Sequence, residues 1–139
     1  MGDGELKEHC CGVWLGPARN VTPFHYDLCH GFLAGVRGRK TFTLVHPDEH
    51  RCMHARPGRP ELSRVDYEAM SEGDAEEHRR HPRFAEATLL SVEVDEGDVL
   101  YTPPFWWHHV ETAGCGPAVS VLVPFDPLPD EPIHVCHLR

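Results

Sequence analysis

A chain of 139 residues, of which 40% are hydrophobic and 25% charged, has the length and composition of one globular domain. Its polar N-terminus is unlike a secretory signal, and no apolar run reaches the roughly 18 residues of a membrane helix. We therefore expect an intracellular protein, cytoplasmic or nuclear, without a membrane partner, and the net charge of −9 argues against a nucleic-acid backbone as its main partner.

Strand signals dominate the first third of the chain. Residues 13–15 form a short apolar strand that Gly-Pro closes, and residues 23–27 form an extended segment. Residues 32–36 and 40–45 are predicted to form a β-hairpin with Gly38 at the tip of its turn, because glycine accepts the positive φ that tight turns require.

Residues 47–83 have a different character, with four prolines, many charges and little apolar periodicity. Short helices are predicted around 65–70 and 74–80, so this segment is interpreted as a partly helical insertion between two β blocks. Ten of the thirteen Lys and Arg residues lie in 37–83. Such a basic stretch could face an acidic peptide or RNA, although a solvated Arg-rich loop is the simpler interpretation.

Strand signals resume after the insertion. Residues 88–94 alternate between apolar and polar, 99–101 and 106–111 follow across turns, and 118–123 form the last strand. Many short strands separated by Gly and Pro turns are typical of an all-β sandwich or barrel.

One spacing indicates a metal site. His25 and Asp27 are two residues apart, and on a strand this spacing directs both side chains to the same face. His108 is the candidate third ligand from the other end of the chain. Two histidines and one carboxylate on one side of an ion leave coordination positions open, which suits non-haem Fe(II).

Two other groups could indicate zinc, but neither has a paired CxxC or the spacing of a closed structural site. The first combines Cys52 with nearby histidines and the second lies at the C-terminus: His46, His50 and His54; His134, Cys136 and His137. The metal prediction therefore stays with His25, Asp27 and His108.

Three ordered motifs carry a family resemblance. They are T-P-x-H-x-D at 22–27, G-R-K at 38–40 and G-D-x-L-x-x-P-x-x-W-W-H at 97–108. Together they resemble the JmjC subgroup of the cupin superfamily, and within it the small hydroxylase-like members. The resemblance implies a double-stranded β-helix (jelly-roll, cupin barrel) over 13–125. A polar segment at 1–12 and a Pro- and acid-rich tail at 126–139 would flank it.

The resemblance also implies a function and roles for residues. The family members are Fe(II)- and 2-oxoglutarate-dependent dioxygenases that use O₂ and convert 2-oxoglutarate to succinate. His25, Asp27 and His108 match the iron ligands, whereas Thr22 and Lys40 match residues that bind the distal carboxylate of 2-oxoglutarate. The expected substrate is a protein side chain, with RNA second, and hydroxylation and demethylation both stay open.

The chain departs from the family pattern at three places. Relatives often carry Asn and Gln where this chain has Gly31 and Gly35, which predicts a wider or less polar pocket, and Asn where it has Pro124. The chain also starts one strand before the first motif, which suggests a fragment of a longer product. Two alternatives follow, a non-catalytic metal-binding cupin used for interaction or sensing, and another cupin enzyme, such as an isomerase or a Zn(II) or Mn(II) protein.

Overall fold

The computed structural model describes residues 11–126, in which ten β-strands form two antiparallel sheets. The strands are β1 (Gly12–Gly16), β2 (Val21–His25), β3 (His30–Arg37), β4 (Arg39–Val45), β5 (Ala55–Arg56), β6 (Arg59–Ser63), β7 (Leu90–Val94), β8 (Val99–Thr102), β9 (Trp107–Ala113) and β10 (Ala118–Phe125). The predicted terminal segments 1–12 and 126–139 fall largely outside the described residues, and the predicted domain boundaries stay a prediction.

The two sheets have interleaved strand orders. One sheet has four strands in the order β1-β10-β3-β8, and the other has six in the order β5-β6-β2-β9-β4-β7. The chain therefore passes from one sheet to the other at most connections between strands, as it does in a jelly roll. The prediction of an all-β jelly-roll fold is confirmed.

The predicted hairpin of residues 32–36 and 40–45 is wrong. β3 pairs with β10 and β8, whereas β4 pairs with β9 and β7, so the two strands belong to different sheets. Gly38 lies between them with φ of +72°, and a Cβ at this position would lie 2.6 Å from the carbonyl oxygen of Pro117. Glycine is required at this corner between the sheets, because a Cβ would clash with Pro117 and because a residue with a side chain disfavours the positive φ.

Residues 47–86 form short helices and one small hairpin. Helices α1 (Tyr67–Ser71) and α2 (Ala75–Arg80) lie within two residues of the predicted positions, and 3₁₀-helices at Pro47–Met53 and Pro82–Glu86 flank this region. The carboxylates of Asp66 and Asp74 accept hydrogen bonds from backbone amides at the starts of α1 and α2. These N-caps explain why helices this short begin where they do.

The insertion completes one of two hydrophobic clusters. Its Val65, Met70 and Phe84 pack with Phe24 and Trp107 of the six-stranded sheet. The second cluster lies between the sheets around buried residues of β3, β4 and β7: Leu33, Phe42, Leu44 and Val94. No helix among the described residues is long and apolar enough to cross a membrane.

The outer face of the four-stranded sheet is unusually apolar. Val13, Leu15, Phe32, Val99 and Tyr101, which we call the outer apolar face, are between 43% and 73% exposed. The register aligns Val13 with Val121, Val121 with Ala34 and Ala34 with Val99, so one apolar row crosses all four strands. An antiparallel sheet with a solvated face normally carries polar side chains there.

Candidate metal centre

Strand pairing brings the two candidate histidines together. His25 ends β2 and lies directly opposite His108 of β9, and their rings are 4.1 Å apart between centroids. Asp27 follows β2 after one residue, and its backbone carbonyl accepts a 2.8 Å hydrogen bond from the amide of Phe105. This bond ties the segment that carries Asp27 to the segment that precedes His108.

The three side chains converge on one point. The candidate ligand atoms of His25, Asp27 and His108 all lie within 4.8 Å of one another, and His108 Nε2 is 3.8 Å from Asp27 Oδ2. Between residues 11 and 126, this is the one group of three His, Cys, Asp or Glu side chains close enough to hold an ion. The spacing of the two histidines and the carboxylate is therefore compatible with a single bound metal.

Hydrogen bonds orient both imidazoles. His25 Nδ1 donates to the carbonyl oxygen of Pro23 at 2.8 Å, and His108 Nδ1 donates to that of Trp106 at 3.0 Å. A ring whose Nδ1 carries the proton presents the lone pair of Nε2, which is the form that ligates a metal. In each case the backbone carbonyl two residues before the histidine thus selects the tautomer that can bind a metal.

The electrostatics of His108 also favour a neutral ligand. Burial, followed by the proximity of His25, lowers the pKa of His108 to about 4. The imidazole is therefore neutral at physiological pH, and a metal ion does not have to displace a proton from it.

The triad opens into a cavity of about 320 Å³ between the two sheets. Thr22 and Lys40, the two residues predicted to bind a dicarboxylate, line this cavity together with all three candidate ligands. Its walls are mainly apolar and come from both sheets: Trp14, Leu33, Phe42, Val110 and Leu122. The cavity therefore combines a metal-ligating end, one cation and a hydrophobic interior.

Lys40 is a buried cation. It is 8% exposed, and its Nζ donates a 2.8 Å hydrogen bond to Ser120 Oγ. No carboxylate within the described part of the chain pairs with it, and burial lowers the pKa of its ammonium group below the ordinary value. A buried charge without an opposite charge is costly, so this position favours an anionic ligand.

Comparison with known proteins agrees with this geometry. A model of the family described as "Cupin-like domain" matches residues 4–131. The chain belongs to this family. JmjC domain-containing protein D of Dictyostelium discoideum is 35% identical over 102 residues, which are 72% of this chain and 22% of that protein. Lysine-specific demethylase JMJ30 of Arabidopsis thaliana is 32% identical over 123 residues, 86% of this chain and 27% of that protein.

More distant proteins extend the comparison. Mouse tRNA wybutosine-synthesizing protein 5 is 27% identical over 98 residues, 70% of this chain and 29% of that protein. The cupin-like chain thus spans about a quarter of the length of these relatives. A crystal structure of Drosophila melanogaster CENP-C bound to CAL1 has a TM-score of 0.52 at 8% identity, covering 85% of this chain and 63% of that one, which shows the fold alone. The JmjC relatives confirm the resemblance found in the motifs.

His109, the neighbour of His108, has a different environment in the cupin-like domain. Its side chain lies on the opposite strand face, where it is 3% exposed, contacts the rings of Phe24 and Tyr67 and pairs with Glu68 at 2.5 Å. This is the structural role that strand alternation predicts.

The first alternative zinc group is not brought together. His54 instead packs against His81, with ring centroids 4.7 Å apart, and Cys52 joins no group of three candidate ligands within residues 11–126. The second alternative, His134, Cys136 and His137, lies outside the described residues.

The expected widening of the pocket at two glycines is not confirmed. Neither Gly31 nor Gly35 lines the cavity. A Cβ on Gly35 would lie 2.2 Å from the backbone oxygen of Asp95, and a Cβ on Gly31 would lie 2.9 Å from Thr102 Oγ1. The missing side chains therefore correspond to close approaches of neighbouring strands in this cupin-like domain. Pro124 is a buried residue of β10 opposite Gly31.

Two residues of the site were missed in the sequence. Ser120 is the partner of Lys40, and Trp14 forms part of the cavity wall. Alternation along β10 gives Ser120 the same facing as Leu122, which could have marked it as inward-facing. Trp14 of β1 lies opposite Ser120 of β10 in the register. The sequence alone does not show that β1 pairs with β10, so it does not place Trp14 in the cavity wall.

Proposed function

We propose that this cupin-like domain is an Fe(II)- and 2-oxoglutarate-dependent dioxygenase, that His25, Asp27 and His108 bind the metal, and that it hydroxylates a protein side chain. The single observation that carries the proposal is the unpaired buried cation of Lys40 in the same cavity as the triad. A metal site alone would suit many cupins. A lysine buried beside that site is costly unless a negatively charged group binds there, and the distal carboxylate of 2-oxoglutarate is such a group.

Each residue has a part in the proposed chemistry. The two histidines and Asp27 would hold the ion, and a set of only three protein ligands would leave it able to bind a co-substrate. Lys40 and Thr22 receive the distal carboxylate of 2-oxoglutarate through a charge-assisted pair and a hydroxyl hydrogen bond. The apolar walls offer few groups that could hold water beside the co-substrate. When bound, the metal and co-substrate supply oxidation by O₂ coupled to decarboxylation of 2-oxoglutarate to succinate.

The proposed substrate class rests on the net charge of the chain and on the names of its relatives. A protein target is favoured over RNA because the chain has a net charge of −9. The names of the relatives include lysine-specific demethylases and a tRNA-modifying protein, so demethylation and RNA are the competing outcomes. We place the reaction in the cytoplasm or nucleus.

Anaerobic reconstitution tests the proposal. The protein is loaded with Fe(II), 2-oxoglutarate is added, and the weak visible charge-transfer band of the chelate is sought before O₂ is admitted and succinate measured. A band followed by succinate supports the oxygenase. Bound iron with neither band nor succinate would instead support the non-catalytic metal-binding role, which the replacement of an Asn by Pro124 favours.

A further inference from the structure

We infer that Arg56 recognises an acidic side chain of a polypeptide substrate in a second cavity beside the metal centre. The inference rests on the proposed function for the identity of the reaction, but its binding contacts come from Arg56, Pro23 and Leu62, which belong to neither the triad nor the dicarboxylate site. A cation, an apolar surface and a candidate metal ligand meet there.

The second cavity lies where two strands separate. β6 pairs with β2 at His25 and Leu62, and the amide of Tyr26 donates to the carbonyl oxygen of Glu61 on one side of this pair, whereas Pro23 and Ser63 on the other side are not paired with each other. The resulting space of about 290 Å³ is lined by Pro23 and His25 from β2, by Leu62 and Ser63 from β6, and by Arg56 from β5. A gap in the sheet therefore opens beside one of the candidate metal ligands.

Arg56 is oriented but not neutralised. Its Nε donates a 3.0 Å hydrogen bond to the carbonyl oxygen of Ser63, which holds the guanidinium against β6. No carboxylate within residues 11–126 pairs with it. By contrast, Arg59 on the same hairpin pairs with Glu61 at 2.9 Å, and Arg39 pairs with Asp95. The hairpin thus contains one arginine that is paired with an acid, Arg59, and one that lines the cavity and has no acidic partner within the described residues, Arg56.

The two cavities share a wall. Thr22 and His25 line both the second cavity and the cavity of the triad. Arg56 and the candidate metal centre therefore border the same two residues from different cavities. In the inferred complex, a neighbouring residue of the anchored peptide extends past His25 toward the candidate metal centre.

The lining indicates an acidic amino acid. Pro23 and Leu62 offer apolar contact for methylene groups, and the guanidinium offers a planar pair of donors that matches a carboxylate. A single carboxylate satisfies this one arginine. RNA binding normally depends on several phosphate contacts, which a chain of net charge −9 disfavours as a whole.

Peptide titration tests the inference. The probes are the heptapeptide Gly-Ser-Glu-Ala-Glu-Ser-Gly and its Gln analogue, added to the full ¹⁵N-labelled chain with and without Zn(II) and 2-oxoglutarate. We expect the Glu peptide to shift the amide signals of Leu62 and Ser63 and the Gln analogue to bind about tenfold more weakly. Arg56→Gln should remove this preference and Arg56→Lys should recover part of it, since lysine keeps the charge but not the fork.

Controls separate recognition from folding and from catalysis. Arg59→Gln removes an arginine of the same hairpin that is already paired, and it should bind the Glu peptide as the wild type does. Equal binding of both peptides, or an unchanged preference in Arg56→Gln, overturns the inference. A ten-nucleotide RNA that shifts the same signals at lower concentration than the peptide also overturns it. Arg56-dependent peptide binding without succinate formation supports this site and counts against the proposed reaction alone.

Discussion

The ammonium group of Lys40 and the hydroxyl of Ser120 meet at 2.8 Å across the interior of the barrel, 80 positions apart in the chain. A neutral hydroxyl does not compensate a buried positive charge. Burial of Lys40 without an opposite charge therefore lowers the stability of the protein, and an anion that pairs with Lys40 would offset this loss.

Replacing Lys40 by methionine should separate stability from ligand binding. We expect Lys40→Met to raise the unfolding temperature by a few degrees, because it removes an unpaired buried charge and keeps the side-chain volume. Added 2-oxoglutarate, with Mn(II) present, should stabilise the wild type by about 2.7 kcal/mol at a hundredfold excess over Kd, and should not stabilise the variant. Thermal unfolding with 2-oxoglutarate and with pyruvate, which lacks the distal carboxylate, measures both effects. An equal response of variant and wild type to 2-oxoglutarate would contradict the role of Lys40.

The adjacent histidines of β9 form a matched pair for the metal assignment. His108→Ala should weaken Mn(II) binding by on the order of a hundredfold or more, since it removes a ligand from the triad. His109→Ala should keep Mn(II) binding and lose about 1–3 kcal/mol of stability, because Glu68 and the packing against Tyr67 lose a buried partner. Calorimetric titration with Mn(II) and urea unfolding give the two numbers. Loss of metal binding in both variants would mean that the strand, and not the ligand, is responsible.

The candidate triad could be proposed from the sequence because each of its two motifs is local. The sequence spacing predicts a common face for His25 and Asp27, although β2 ends at His25 and Asp27 lies just beyond it, and the motif around His108 supplies the third candidate ligand. The roles of Thr22 and Lys40 came from the resemblance, and the structure places both side chains on the cavity of the triad.

Other features depend on which strands pair, and the local sequence does not contain that information. Residues around Gly38 have the composition of a hairpin turn, but the register of β3 with β10 and of β4 with β9 sends the chain from one sheet to the other. The same long-range pairing brings Ser120 to Lys40. A turn motif predicts that the chain changes direction. The packing of the two sheets determines which strand the following segment pairs with.

Gly35 tests whether the close approach of the Asp95 backbone leaves no room for the side chain that relatives often carry at this position. Gly35→Ala places a Cβ 2.2 Å from the backbone oxygen of Asp95, and backbone cannot move aside cheaply. We expect a loss of roughly 2–4 kcal/mol in urea unfolding. Gly116→Ala is the matched control, since a Cβ there meets nothing within 4 Å, and it should change stability by less than about 0.5 kcal/mol. Similar values for the two variants would contradict the packing argument.

The packed pair of His54 and His81 predicts a dependence of stability on pH. Burial, followed by the proximity of His81, lowers the pKa of His54, while Arg64 and Arg83 act in the same direction and Glu77 opposes them. Because the folded-state pKa lies below the ordinary value of about 6.5, the unfolded chain takes up more protons. The contribution of His54 is therefore complete above about pH 6.5 and is lost as the pH falls through the folded-state pKa.

His54→Asn isolates this contribution. Asparagine cannot titrate, and it tolerates the φ of +46° at this position. We expect the variant to lose less stability than the wild type between pH 7.5 and 5.5, as measured by urea unfolding. His46→Asn serves as a control, since its side chain is half exposed and asparagine is also a good helix N-cap. Parallel pH profiles for His54→Asn and the wild type would show that this pair does not titrate with unfolding.

The outer apolar face predicts how the chain behaves toward apolar probes. Val13 and Val99 end the row that crosses the four-stranded sheet and are 73% and 62% exposed. The double variant Val13→Thr, Val99→Thr keeps β-branched side chains and interrupts the apolar patch at both ends. We expect it to bind markedly less of a fluorescent apolar dye than the wild type, with unchanged Mn(II) affinity because the triad lies on the other side of the sheet.

Leu90→Thr is the control for this prediction. It removes a 47% exposed leucine from the edge strand of the other sheet, and should leave dye binding nearly unchanged. An equal reduction in both variants would mean that dye binding follows total apolar exposure and not the contiguous face.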